Sequence, residues 1–273
     1  MRTAAWITIS MTALGSAVAC GSKDPASASA PDAGNLSSDA GDGLDGFTFG
    51  GDGGTGSGDA DAGDGACGPN LTGVVRDFHD THPDFEQLSG DDRGMVEPTL
   101  GADGKPVYAS ATTTATTSGR ANFDQWYRDV PNVNVPVLFA VPFTQLPNGV
   151  STYNNPAFFP IDNQGFGNEG RAHNFHFTFE LHTEFIYRGG EVFTFTGDDD
   201  LWTFVNNRLA IDLGGVHVAQ TQSVNLDTSA TTLGLQIGQK YPLDVFQAER
   251  HTVQSQFRID TTIAFTNCAP ILR

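Results

Sequence analysis

The sequence predicts an all-β domain, a sandwich or barrel with irregular insertions, preceded by a disordered tether. Three observations carry this. Apolar and polar residues alternate with period two in many short runs, Gly, Asn and Pro turns separate those runs, and the first quarter of the 273 residues almost lacks large apolar side chains.

Residues 1–19 read as a signal peptide: Arg2 gives a charged start, a short apolar stretch follows, and small residues close it. The stretch is too short to span a bilayer as a helix. Ala17-Val18-Ala19-Cys20 resembles a bacterial lipobox, which makes Cys20 the expected lipidation site. The alternative is ordinary secretory cleavage near the same place. Gly21 stands where an Asp would retain a bacterial lipoprotein at the inner membrane, so the expected location is the outer membrane, the cell surface or the extracellular side.

Residues 20–66 form the predicted tether. Between 21 and 66 stand nine Asp, no Glu and one Lys, and the large apolar residues are Leu36, Leu44, Phe47 and Phe49. Such a segment buries too little surface to offset chain entropy, and as a Gly-rich coil it spans roughly 40 Å. Of the three cysteines, Cys67 and Cys268 bracket the folded region 67–273 and are placed to form a disulfide in an oxidising compartment. In the chain-entropy model a loop of that length is worth on the order of 5 kcal/mol.

Within 67–273, alternation begins at Leu71 and is clearest where Phe175, Phe177, Phe179 and Leu181 share one strand face and His176, Thr178, Glu180 and His182 the other. Further strands are expected at 191–196, 201–205, 208–212, 242–247 and 256–265. A short helix is expected around 121–128, and an irregular, turn-rich stretch between 136 and 170. The net charge is −18, and once the tether and Arg2 are set apart the folded region keeps −11. An acidic domain without a Lys/Arg cluster is a poor partner for nucleic acid or anionic lipid, so contact with a membrane is expected only through the lipid anchor.

The most informative segment is 197–215. Residues 201–205 and 208–212 read as a hairpin closed by Asn206-Asn207, since Asn tolerates the left-handed backbone of a two-residue turn. Directly before it stand Asp198, Asp199 and Asp200. Three adjacent carboxylates repel one another unless water or a cation compensates them. Neighbouring Asp side chains share one cation only through a tight turn or a cis peptide, and Ca²⁺, a hard ion taking six to eight oxygens, is the candidate. From the residues alone, a solvated acidic turn remains the competing reading.

Other constellations are weaker. The stretch 165–170 has the letters of a dinucleotide fingerprint without the strand–helix context, and reads as a turn. His176, Glu180 and His182 lack the spacing that establishes a zinc site. No serine elbow or cysteine–histidine pair is present, and no enzymatic role is expected.

Asp198-Asp199-Asp200-Leu201-Trp202, the Asn206-Asn207 turn, Arg208-Leu209-Ala210-Ile211-Asp212 and Leu213-Gly214-Gly215-Val216-His217 resemble the signature of the fibro-slime domain. Arg76-Asp77-Phe78, His82-Pro83-Asp84-Phe85-Glu86, Trp126-Tyr127-Arg128-Asp129-Val130 and Ala248-Glu249-Arg250-His251-Thr252 fit the same pattern, so the resemblance runs from Leu71 to about Phe265. That family is similar to PA14-type β-barrels. The resemblance implies Ca²⁺ held by Asp198 and Asp199 across a cis peptide, and a polysaccharide or surface glycan bound through that ion in adhesion or in slime-matrix attachment. Asp200 belongs to the same candidate ligand-binding loop, and Glu249 and His251 are further ligand candidates from a neighbouring strand. Trp202 is a candidate for stacking on a sugar ring, although its apolar strand neighbours favour core packing. The alternatives are a structural matrix protein without a sugar site and, last, a glycan hydrolase.

Overall fold

A computed structural model of the chain describes residues 70–271, Gln87 excepted. The expected signal peptide, the lipidation site Cys20, the tether and Cys67 lie outside the described residues. In chain order the elements are β1 (Asn70–Phe78), β2 (Gly90–Asp91), α1 (Arg120–Phe123), β3 (Asn134–Pro142), β4 (Thr144–Gln145), β5 (Ser151–Asn155), β6 (Phe177–Ile186), β7 (Val192–Gly197), β8 (Asp200–Val205), β9 (Arg208–Leu213), β10 (Gly215–Val216), β11 (Gln220–Asn225), α2 (Leu226–Leu233), β12 (Lys240–Glu249), β13 (Phe257–Thr261) and β14 (Phe265–Asn267).

The described domain is all-β, as predicted. A seven-stranded antiparallel sheet runs β3-β1-β6-β12-β8-β9, with β14 on the remaining edge of β6, and a five-stranded sheet runs β11-β7-β13-β5-β4. The two sheets face each other without closing into one barrel, so the sandwich half of the expectation is the correct one. Between them lies the main core, to which β6 contributes Phe177, Phe179, Leu181 and Phe185, β12 Leu243 and Val245, and β13 Phe257 and Ile259. Period-two alternation on each strand sends these side chains to one face.

The opposite face of the large sheet differs from what alternation implies. On β6, Thr178, Glu180 and His182 are buried, not solvated. A second core covers them, formed by Trp202, Phe204 and Phe246 of the sheet and by Met95, Tyr108, Phe123, Trp126 and Tyr127 from the segment before β3. The polar residues survive burial because they are paired. Arg76 Nη1 donates to Glu180 Oε1 at 2.8 Å, Lys105 Nζ to Glu180 Oε2 at 2.5 Å, and His182 Nδ1 lies 2.7 Å from Asp244 Oδ1. Burial alone raises the Glu180 pKa, but the His182 hydrogen bond and the Arg76 and Lys105 charges overturn this and hold it at about 2.

Several boundaries shift. The expected helix at 121–128 is one short turn of helix, α1, continued by irregular backbone. The stretch from 136 holds the nine-residue strand β3, paired with β1 along its length, and then β5. The run 256–265 is two strands, because residues 262–264 break the ladder before β14. The hairpin of β8 and β9 is confirmed, with Asn206 and Asn207 at φ 53° and 58°. Among the described residues, no helix is long and apolar enough to cross a membrane.

Candidate functional site

The turn between β7 and β8 sets the site. The peptide bond between Asp198 and Asp199 is cis. Both side chains are nearly buried, at 3% and 5% exposure, and both line a cavity of about 360 Å³. One wall of the cavity is residues 216–218, after the β9–β10 corner; the other is 251–254, after β12.

Backbone donors from both walls tie down the carboxylates. Asp198 Oδ1 accepts from the Gln256 N–H, and Asp199 accepts from His217 N–H and from Arg250 N–H, each at 3.1 Å. Gly215 makes the corner possible: at φ 121° it brings its N–H to Asp200 Oδ1 at 2.7 Å, and a Cβ there would collide with the Gly90 carbonyl.

Asp200 points away from the cavity. It is fully buried and forms an ion pair with Arg250, whose Nε lies 2.5 Å from Asp200 Oδ2. Arg250 also donates to the Asp84 carbonyl at 3.0 Å, the Thr116 carbonyl at 2.6 Å and Thr116 Oγ1 at 3.1 Å, and its guanidinium sits 4.7 Å from the Trp126 ring centre. One buried cation thus knits together β8, β12 and two loops from the segment before β3. Sequence reasoning did not single out Arg250 as a functional residue; its position beside Glu249 in the motif carries no sign of what it reaches.

The remaining candidates separate. Trp202 is wholly buried in the second core and donates Nε1–H to Asp212 Oδ1 at 3.0 Å, so it cannot stack on a sugar. Glu249 is also wholly buried and does not line the cavity. Neither of its oxygens meets a hydrogen-bond partner, although the Ser255 hydroxyl and the His251 backbone lie close enough to favour its charge slightly. Burial, then the Asp199 and Asp198 charges, push its carboxyl well above the usual range. His251 lines the cavity, and so do Val218 and Val253, which are 77% and 81% exposed. His176, Glu180 and His182 do not form one three-residue site: His182 Nε2 lies 3.4 Å from Glu180 Oε2 and its Nδ1 pairs with Asp244, while His176 turns to Glu86, its Nε2 2.8 Å from Oε1.

Electrostatically, the site holds more negative than positive charge. Arg250 is the one cation hydrogen-bonded to the Asp198, Asp199 and Asp200 turn among the described residues. Burial, opposed by Arg250 and reinforced by the Asp200 and Asp198 carboxylates, pushes Asp199 up to about 8; burial also raises Asp198. Two carboxylates held this way are short of a counter-cation, and their all-oxygen character suits a hard ion such as Ca²⁺. No group of three or more His, Cys, Asp or Glu among the described residues is placed to hold a metal. A cation here rests on two carboxylates and needs oxygens from the walls, water or a ligand.

Residues 146–271 match the PA14 domain family. This span includes the five-stranded sheet apart from β4, the Asp198–Asp199 turn and both cavity walls. Among curated proteins, protein psiR of Dictyostelium discoideum is 43% identical over 203 residues, covering 67% of this chain and 20% of that protein. Protein psiD of the same organism is 41% identical over 213 residues, covering 72% and 42%. The chain therefore spans less than half the length of either relative. Among solved structures, a PA14 sugar-binding domain from an RTX adhesin aligns over 71% of this chain and 93% of its own, at 9% identity and a TM-score of 0.29. The epithelial adhesin 9 A domain of Candida glabrata, in complex with Galβ1-4GlcNAc, aligns over 71% and 86%, at 13% identity and a TM-score of 0.29.

Proposed function

We propose that this chain is a cell-surface lipoprotein of fibro-slime type that binds carbohydrate through Ca²⁺, in adhesion or in attachment to an extracellular matrix. The observation that carries the reading is the Asp198–Asp199 pair. Both carboxylates are withdrawn from solvent and face one cavity, and the cation beside them, Arg250, is ion-paired with Asp200. A Ca²⁺ ion with two protein carboxylates keeps coordination positions open, and vicinal sugar hydroxyls are suited to fill them. The exposed Val218 and Val253 flank the same cavity and offer aliphatic surface to the C–H face of a sugar. A lipid on Cys20, the tether of residues 20–66 and a Cys67–Cys268 bridge complete the proposal. The activity is binding, with no chemical step.

A second reading draws on the hydrogen bonds. Asp198 and Asp199 accept from donors beside both walls, so a cation there would also staple the 216–218 and 251–254 segments together without any sugar. The purified chain is melted in Ca²⁺ and in EDTA, as wild type and as Asp198→Asn/Asp199→Asn, and both are screened on a glycan array. Saturable Ca²⁺ stabilisation and EDTA-sensitive glycan retention, both lost in the double variant, are the expected result. At a hundredfold excess of Ca²⁺ over its Kd the stabilisation is about 2.7 kcal/mol. Stabilisation without retention supports the stapling role. Identical wild-type melts with and without Ca²⁺ dispose of both.

A further inference from the structure

The cavity wall at 251–254 follows the end of β12, yet its anchor comes from far away in sequence. Glu86, in the loop after β1, bonds to it through main chain and side chain. Its N–H donates to the Arg250 carbonyl at 2.8 Å, and its Oε1 accepts the Thr252 N–H at 2.9 Å. Its Oε2 lies 3.4 Å from Thr252 Oγ1 and 3.8 Å from His251 Nε2. Glu86 is itself held: His176 Nε2, on a fully buried ring just before β6, lies 2.8 Å from Oε1, and the far nitrogen of that ring lies 3.4 Å from Glu169 Oε2. The backbone of Glu86 stands at φ 61°, a left-handed conformation that a long side chain rarely adopts. Burial raises the Glu86 carboxyl, but the His176 and Thr252 hydrogen bonds outweigh it and hold the group below the usual range.

We propose that Glu86 is a positioning residue of the binding cavity, setting where the wall that carries His251, Thr252 and Val253 stands relative to Asp198 and Asp199. Glu86 does not line the cavity and acts through Thr252. The role rests on the reading of the cavity as a cation site, and deepens it. Because Oε1 is asked only to accept from Thr252 N–H and His176, and the Thr252 hydroxyl at the Oε2 place can accept as well as donate, a neutral amide with its carbonyl oxygen at the Oε1 place keeps these contacts. Geometry, and not the charge of residue 86, is what the wall needs.

The test uses the full chain, as wild type, Glu86→Ala and Glu86→Gln, with two readouts: Ca²⁺ affinity by calorimetry, and backbone amide hydrogen exchange in EDTA. Glu86→Ala is expected to speed exchange across 251–255 by about tenfold or more while β6 amides hold their wild-type rates, and to weaken Ca²⁺ binding by about tenfold. Glu86→Gln is expected to stay within about threefold of wild type in both. Unchanged exchange in Glu86→Ala overturns the proposal whatever Ca²⁺ does, as does failure of that variant to fold. A loosened wall with unchanged Ca²⁺ affinity overturns the positioning role as well. If wild type binds no Ca²⁺ but the wall still loosens, the cation reading falls and the Glu86 clamp stands.

Discussion

Replacing Arg250 by Met removes the buried cation behind the acidic turn while leaving an apolar stem of similar length against Trp126. The Arg250 N–H that Asp199 accepts from is backbone and survives. What is lost is the ion pair with Asp200, both partners of which have wholly buried side chains, together with the donors to the Asp84 and Thr116 carbonyls and to Thr116 Oγ1. Stranding one member of a buried ion pair costs about 3–5 kcal/mol, and each orphaned buried acceptor adds about 1–3 kcal/mol, less than additively. A loss of at least about 4 kcal/mol follows. For a domain of this size, each kcal/mol shifts Tm by about 2–4 °C, so the melt falls by about 8 °C or more. The assay is urea unfolding in EDTA at neutral pH of wild type, Arg250→Met, Asp200→Asn and the double variant. The double variant should recover about 2 kcal/mol or more relative to the sum of the singles, because it leaves no unpaired charge. A single-variant cost below about 1 kcal/mol, or a coupling below about 0.5 kcal/mol, would refute the assignment of Arg250 as the charge that holds this turn in place.

Acid unfolding probes the opposite face of the large sheet. Glu180 has a depressed pKa of about 2 against an ordinary 4.5, so its contribution is complete above pH 4.5 and is lost as pH falls toward 2. The shift corresponds to an upper limit of about 3 kcal/mol. Lys105→Met, which removes one of its partners, should raise the midpoint of acid unfolding by circular dichroism, and an unmoved midpoint would show that the pair is energetically idle. At the cavity rim, Val218→Ser and Val253→Ser should each weaken glycan retention about two- to tenfold while the Ca²⁺-dependent melt stays as in wild type. Retention unaffected by both changes would remove the aliphatic flank from the reading.

The hairpin at 201–212 was legible because its signals are local: alternation on both arms and two Asn at the turn, which the structure places at positive φ. The strand β3 was less so. Pro136 and Pro142 and the turn residues that follow suggest broken structure, yet β3 pairs with β1 along nine residues because it lies at the edge of its sheet, where a missing N–H can face outward. Helix α2 carries its signals at its ends, with Asn225 accepting from Thr228 N–H and Gly234 at φ 71°, but the β-branched Thr residues between them mask it. Trp202 and Asp200 stand in the same motif as the cavity residues, and alternation along β8 turns both to the covered face of the sheet.

By itself, the sequence determined the strand-rich class, the acidic turn at Asp198 and Asp199 and the hairpin beside it, since each depends on residues near one another in the chain. Only the tertiary structure decided that Glu180 and His182 are buried, that Arg250 neutralises Asp200, and that Glu86 and Thr252 meet. Those outcomes depend on partners up to 166 positions apart. Side-chain polarity records the cost of leaving water; it does not record which distant group will meet that cost.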